Sequence, residues 1–358
     1  MALRRLRPLA ALLVVLLAAL SAGGAAGSAR TPSYPSTTRA LLAAPHGTLD
    51  VARLARSSTT WRGGPVTTST GETVRVFVSD SLPAEAVTPE ERAEFLASLT
   101  HGPELSLLTA YFATLEEVQE VCGRRALGCY GRNQMFVPGT DEGLALTGAT
   151  ADEVVRHEYG HHVAFHRSNT PWLALDWGPK RWASAVDVCA RVARNEAYPG
   201  NQGTNYRLNP GEAWAETYRL MDERRAGITT ATWSIVAPSF YPGEPALQAA
   251  EADVLDPWTA PRGVSYRRTF GRSTRKVWLI PIATPLDGTL RATVTLPRNG
   301  THEVTLLTAS RKTVLARATR SSPRVRQLTA TVCGQRSVVL RVVQRGALGP
   351  VAVSVSVP

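Results

Sequence analysis

The sequence has few of the features that define membrane proteins or zinc–cysteine proteins. After residue 20 it has no apolar run long enough to cross a bilayer. None of its four cysteines forms a CxxC pair, which makes a zinc–cysteine site unlikely. Lysine is scarce, since 37 of the 40 basic residues are arginine, a bias that indicates a GC-rich coding sequence more than a function. Hydrophobic residues make up 44% of the 358 positions and charged residues 19%, which excludes a disordered chain and allows two domains.

The first 29 residues have the layout of a secretory signal peptide. Three arginines precede residue 8, residues 9–20 are apolar, and residues 21–30 are mostly small. An apolar core of about twelve residues is too short to span a bilayer comfortably, so cleavage near residues 26–29 is favoured over a membrane anchor. We therefore predict a secreted protein, extracellular or associated with a cell wall, with no membrane span once the signal is removed.

The four cysteines of an exported chain are expected to form disulfides. Cys122 and Cys129 flank a tight loop that one bridge could close, and Cys189 would then pair with Cys333. Four cysteines allow three pairings, so this pairing is a preference.

Composition divides the rest of the chain into three parts. Residues 30–60 are rich in Ser, Thr, Pro and Arg and are interpreted as a linker or a short pro-segment. Residues 61–258 contain patterns typical of both helices and strands. Residues 259–358 consist of short β-rich runs separated by turn residues, a spacing that predicts a β-sandwich.

Acidic residues are nearly absent from the predicted β-sandwich. Residues 259–358 contain 17 Arg or Lys, against Asp287 and Glu303 as the acidic side chains. This charge could attach the protein to an anionic cell-wall polymer, or it could belong to a domain that only packs on its neighbour. No nucleic-acid partner is predicted.

A histidine-rich segment carries the candidate metal site. Thr150 and Glu153 form a capping box, which predicts a helix from residue 151 onward. His157 and His161 lie four residues apart on one face of that helix, where two imidazoles can bind one zinc ion. Glu158 lies between them and could take a proton from water, as in the HExxH motif. The alternative is that both histidines lie on a solvated helix.

The third ligand does not follow from the same helix. The longer metzincin pattern, which adds a glycine and a third histidine, fails because Ala164 and Arg167 occupy those positions. His162 and His166 are expected at the surface and not among the ligands. A glutamate from a later helix is the other common solution.

Residues 209–227 predict such a helix, with Asn209 as its N-cap. Glu212 and Glu216 lie four residues apart on one face of this helix. One of them could bind zinc, while the other could hold a ligand histidine in its orientation. The alternative is an ordinary solvated face, which Arg219 would continue.

The sequence "HEYGH", followed about fifty residues later by "GEAWAE", resembles the gluzincin metallopeptidases. It is similar to the anthrax-lethal-factor-like pattern, in which a helix with ExxxE follows HExxH, and the resemblance covers about residues 151–227. It implies that Glu212 is the third ligand, that Glu216 supports the site and that Tyr206 assists the transition state. It also implies a zincin-like α+β fold, in which an edge strand beside the helix pairs with an extended substrate. Residues 133–139 are the candidate for that strand.

Taken together, the sequence predicts a secreted zinc endopeptidase that acts on a protein or peptide substrate. Its fold would be a zincin-like α+β domain, residues 61–258, followed by an all-β sandwich domain, residues 259–358. Glu158 would be the general base that later protonates the leaving amine. The remaining assignments are Zn²⁺ bound by His157, His161 and Glu212, an oxyanion donor in Tyr206, and support of a ligand by Glu216.

Two other functions remain open at this point. The first is an inactive zinc protein whose basic C-terminal part binds a partner, and the intact Glu158 argues against it. The second is a zinc amidase that acts on cell-wall peptides, which assays with casein and with peptidoglycan would distinguish from an endopeptidase.

Overall fold

A mixed β-sheet and the helices that follow it form the N-terminal part of the described residues. The computed structural model describes residues 47–48, 59–233 and 235–358. The predicted signal peptide and most of the segment 30–60 lie outside the described residues and stay predictions. The strands of this sheet are β1 (Gly47–Thr48), β2 (Trp61–Thr67), β3 (Thr73–Ser79), β4 (Thr109–Ala113), β5 (Cys129–Gly131) and β6 (Gln134–Pro138).

The sheet has the order β1–β5–β6–β4–β3–β2. Strand β4 runs parallel to both β3 and β6, while β5 runs antiparallel to β6. In β3, Val74, Val76 and Val78 are fully buried, whereas Arg75 between them is exposed. This alternation buries one face of the sheet under the helices.

Eight α-helices lie within the described residues. They are α1 (Pro89–Ser98), α2 (Leu115–Cys122), α3 (Ala151–Phe165), α4 (Ala174–Trp177), α5 (Lys180–Ala185), α6 (Val188–Ala193), α7 (Pro210–Arg225) and α8 (Glu244–Leu255). None of the helices in this part of the chain combines the length and the apolar content that a membrane crossing requires.

The two helices that the sequence predicts around the metal motifs are both confirmed. Helix α3 begins after Thr150, whose side chain accepts from the Glu153 backbone while the Glu153 carboxylate accepts from the Thr150 backbone. Helix α7 begins after Asn209, whose side chain accepts from the Gly211 backbone. Both caps satisfy amide groups that a helix start otherwise leaves without a partner.

Two antiparallel sheets form the C-terminal part of the protein, residues 262–357. Their strands are β7 (Arg262–Phe270), β8 (Val277–Ala283), β9 (Gly288–Thr295), β10 (Glu303–Thr308), β11 (Val314–Arg317), β12 (Thr319–Ser322), β13 (Val325–Val332), β14 (Ser337–Val343) and β15 (Gly349–Val357). One sheet has the order β11–β10–β14–β8 and the other β12–β13–β9–β15–β7. Alternate residues from both sheets fill one hydrophobic core, a layout compatible with a β-sandwich. The described residues therefore combine a mixed α and β part with later antiparallel sheets.

The predicted edge strand is wrong. Residues 133–139 contain β6 (Gln134–Pro138), which lies inside the sheet between β4 and β5. The strand between β6 and the sheet edge is β5, and β1 pairs with its outer side. Strand β5 has only three residues, too few for an alternating pattern to be recognised in the sequence.

The preferred disulfide pairing is confirmed. Cys122 at the end of α2 is bonded to Cys129 at the start of β5, and Cys189 in α6 is bonded to Cys333 after β13. The first bridge fixes the loop that leads into β5. The second joins the helical part of the chain to the C-terminal β-sheets across 144 residues of sequence.

Buried polar contacts reinforce that connection, and all described residues belong to one unit. The fully buried Lys180 donates from Nζ to the backbone carbonyls of Thr170, at 2.6 Å, and Asp287, at 2.9 Å. Arg336 forms ion pairs with Asp187, at 2.8 Å, and with the Asp287 carboxylate, at 2.6 Å. The helical part and the C-terminal β-sheets are therefore joined by ion pairs and by hydrogen bonds to the backbone as well as by the disulfide.

Candidate metal centre

Helices α3 and α7 cross at a point where neither carries a large side chain. A Cβ atom added to Gly160 would lie 2.8 Å from the Cα atom of Ala215 and 3.1 Å from its carbonyl oxygen. Beside this contact, the indole Nε1 of Trp214 donates to the Gly160 carbonyl at 2.7 Å. The backbones therefore touch directly, and side chains next to this crossing or one turn away from it can meet.

Three of those side chains form a buried group that could hold a metal ion: His157, His161 and Glu212. One potential ligand atom from each lies within 4.8 Å of the others. The Glu212 Oε2 atom is 3.3 Å from His157 Nε2 and 3.4 Å from His161 Nε2. Bonds of about 2.0–2.1 Å in a tetrahedral site place ligand atoms about 3.3–3.4 Å apart. The separations of Glu212 Oε2 from the two imidazole nitrogens are therefore those of ligands around one small metal ion.

The charge around His157 also fits a cation. Burial alone would lower the pKa of His157, but hydrogen bonds to Glu212 and Glu216 and the nearby charge of Glu158 raise it to about 10. Burial lowers the pKa of His161. The buried carboxylates thus stabilise positive charge at this point, and a metal ion between the two imidazoles would provide that charge.

Glu216 contacts the other ring nitrogen of His157. Its Oε2 atom lies 3.3 Å from His157 Nδ1, so it accepts from the ring nitrogen that points away from the candidate metal position. Arg219 binds Glu216 with two nitrogens, at 2.6 Å and 3.0 Å. Although burial opposes ionisation, Arg219 and His157 hold the pKa of Glu216 well below its usual range. Glu216 therefore lies where it could orient a candidate ligand, and its supporting role stays a prediction.

The solvated-face interpretation of α7 is wrong. Glu212 and Glu216 are each 1% exposed and Arg219 is 2% exposed. Arg219 also forms an ion pair with Glu223 at 2.7 Å and with Glu153 of α3 at 3.3 Å. Spacing along the helix could not distinguish this buried network from a solvated ion pair, because both place opposite charges three or four residues apart.

Two further side chains hold the Glu212 carboxylate. The Tyr206 hydroxyl donates to Oε2 at 2.9 Å, and the Gln202 amide donates to Oε1 at 3.1 Å. Tyr206 thus lies in the site, on the candidate ligand; its role as an oxyanion donor stays a prediction. Sequence reasoning missed Gln202, which lies in an irregular loop without a pattern that could reveal it.

Glu158 is 2% exposed and lies against the loop that precedes β5. A Cβ atom added to Gly128 would come within 2.8 Å of Glu158 Oε1 and 2.9 Å of Val154 Cγ1. The glycine therefore gives this carboxylate room beside the backbone. The candidate base therefore packs against the loop that leads into β5 as well as on its own helix.

His162 is fully buried, so its expected surface position is wrong. Its Nε2 donates to the Glu104 carbonyl at 2.8 Å, and its Nδ1 accepts from the Tyr130 hydroxyl at 3.1 Å. Burial lowers the pKa of His162 to about 4, which keeps the ring neutral. Strand β5, which contains Tyr130, covers this side of the helix. His166 is less buried, and its Nε2 lies 2.7 Å from the Asn133 amide oxygen.

Comparison of the chain with protein-family models and with curated proteins finds no match. The geometry of α3 and α7 therefore carries the functional inference. It places two imidazoles, a carboxylate and a neighbouring Glu158 in one buried site between two helices.

Gly160→Ala should separate α3 from α7. Alanine favours helices by up to about 1 kcal/mol over glycine. Here its Cβ would meet the backbone of Ala215, which cannot rotate away. We expect a net loss of about 1–3 kcal/mol in the free energy of unfolding, typical of overpacking, together with weaker zinc binding. Urea unfolding and zinc titration measure both effects. Gly263→Ala, at an open strand position, is the control; equal zinc affinity and stability in Gly160→Ala and the wild type would contradict the close-contact account.

Glu212→Ala and Glu216→Ala should affect metal binding differently. Removal of a candidate ligand should empty the site, whereas loss of the carboxylate that orients His157 should weaken zinc binding by roughly 10–100-fold. Competition with a chelator measures the affinities, and circular dichroism checks the fold. Glu244→Ala, which removes an exposed carboxylate from α8, is the control. The assignment is inverted if Glu216→Ala loses the metal while Glu212→Ala keeps it.

Proposed function

We propose that the protein is a zinc metallopeptidase of the gluzincin type, with a zincin-like catalytic part and a separate β-sandwich. The observation that carries this proposal is the buried His157–His161–Glu212 group, with donor atoms 3.3 and 3.4 Å apart, beside the carboxylate of Glu158. Two histidines and a glutamate are the ligand set of a catalytic zinc site, which keeps a further position open.

The choice of zinc is supported by the chemistry of the donors. Mg²⁺ and Ca²⁺ prefer sites made of oxygen atoms, whereas two imidazoles favour zinc or another transition metal. The separations of Glu212 Oε2 from the two imidazole nitrogens match short bonds in a tetrahedron. Glu216 and Arg219 fix the ring of His157, while Tyr206 and Gln202 fix Glu212. Such preorganisation favours a defined ligand geometry.

A bound zinc ion supplies a water molecule of lowered pKa and polarises a carbonyl group. The chain itself supplies the proton transfers. Glu158 accepts a proton from water and then delivers it to the leaving amine. Its burial beside the candidate ligands excludes competing solvent. Burying a carboxylate costs free energy. A protein that only binds a partner has no use for a base at Glu158, so its presence favours an enzyme over the inactive alternative.

A peptide is the proposed substrate, because a β-strand passes directly over the catalytic helix. Extended peptides bind such strands through backbone hydrogen bonds. The two disulfides support export to an oxidising compartment. An amidase that acts on cell-wall peptides would use the same residues, so hydrolysis of casein and of peptidoglycan is compared directly.

Glu158→Gln should retain zinc and lose hydrolysis. The glutamine keeps the shape of the side chain but cannot accept the proton, so we expect kcat on casein to fall by roughly 10²–10⁴-fold. Metal analysis should give the wild-type zinc content, because Glu158 is not among the proposed ligands. Asp152→Asn, at a half-exposed position of the same helix, should keep near wild-type activity. A fully active Glu158→Gln enzyme would exclude the mechanism.

A further inference from the structure

The strand next to the catalytic helix already has a partner from the N-terminal part of the chain. Gly47–Thr48 forms β1, which pairs with β5 in parallel. The register places Gly47 opposite Cys129 and Thr48 opposite Tyr130. The other side of β5 is occupied by β6. Both rows of backbone groups on β5 are therefore engaged, one of them by a segment of only two residues.

Strand β5 runs along the face of α3 that carries Glu158. Gly128, immediately before β5, lies so close to Glu158 that a Cβ atom added to it would be 2.8 Å from the Glu158 Oε1 atom. One turn further along α3, the Tyr130 hydroxyl donates to His162. A chain paired with the outer side of β5 lies about 4.8 Å from it. That chain therefore passes close to the proposed catalytic base.

The outer side of β5 can pair with one strand at a time. Each backbone N–H and C=O group on that side can hydrogen-bond to one neighbouring strand. A substrate that adds as a strand therefore competes with β1. The Cys122–Cys129 disulfide fixes the start of β5, which leaves displacement of β1 as the simpler way to expose the edge.

We propose that the segment containing Gly47–Thr48 is an inhibitory pro-segment, which occupies the peptide-binding edge of β5 and must leave before a substrate binds. This inference rests on the proposed peptidase function. Of the two interpretations of residues 30–60, it favours a pro-segment over a linker. It also places the inhibitory contact at β5 and not at the metal ligands.

The test uses the full chain with the double substitution Gly47→Pro/Thr48→Pro. Two prolines remove both amide donors of β1 and break its pairing with β5. The matched control, Gly47→Ala/Thr48→Ser, keeps both backbone N–H groups. Hydrogen exchange of residues 129–131 reports the pairing without any need for activity. We expect faster exchange in the proline variant and wild-type exchange in the control.

Hydrolysis of a soluble peptide reports inhibition. We expect kcat/KM to rise about threefold or more in the proline variant, because a larger fraction of molecules has a free edge. A synthetic peptide of residues 43–52, added to that variant, should restore inhibition, whereas a scrambled peptide should not. Unchanged hydrogen exchange would overturn the pairing, and faster exchange without a rise in kcat/KM would overturn the inhibition.

A failure of the peptidase function is distinguishable from a failure of this inference. If neither the wild type nor the variants hydrolyse peptides, the affinity for a fluorescent strand-forming peptide is measured instead. Tighter binding by the proline variant than by the alanine–serine control supports occupation of the edge by β1. Equal binding by the two variants overturns it.

Discussion

The direct contact between the backbones of α3 and α7 is the constraint on which the candidate site depends. Because Gly160 has no side chain, Ala215 can approach it closely, and side chains beside the crossing converge. His157 and His161 from one helix then meet Glu212 from the other. A larger residue at this crossing would hold the helices apart, and the donor atoms would no longer match the spacing that a small cation requires.

The arrangement of charged side chains around the site follows from that packing. The buried Glu216 accepts from His157 and is neutralised by Arg219, which also binds Glu223. Burying charges is costly unless they are paired, and here each carboxylate has a charged or hydrogen-bonding partner. The result is an ordered set of candidate ligands surrounded by buried carboxylates, which suits a metal cation.

Local sequence patterns predicted much of this arrangement. The capping box at Thr150, the N-cap at Asn209 and the four-residue spacings defined both helices and the faces that meet. The disulfide pairing followed from the short Cys122–Cys129 loop. Gln202 and the burial of His162 could not be predicted, because they depend on an irregular loop and on a three-residue strand whose partners are distant in sequence. The domain boundary near residue 258 and the anionic partner of the basic β-sheets stay predictions.

The central claim is that one zinc ion binds between His157, His161 and Glu212. X-ray absorption at the zinc edge, on chain loaded with one equivalent of zinc, tests it most directly. The account predicts a site of nitrogen and oxygen ligands with bonds of about 2.0–2.2 Å, two imidazoles per metal, and loss of one imidazole in His161→Ala. A spectrum with no imidazole scattering, or one unchanged by His161→Ala, would contradict the account.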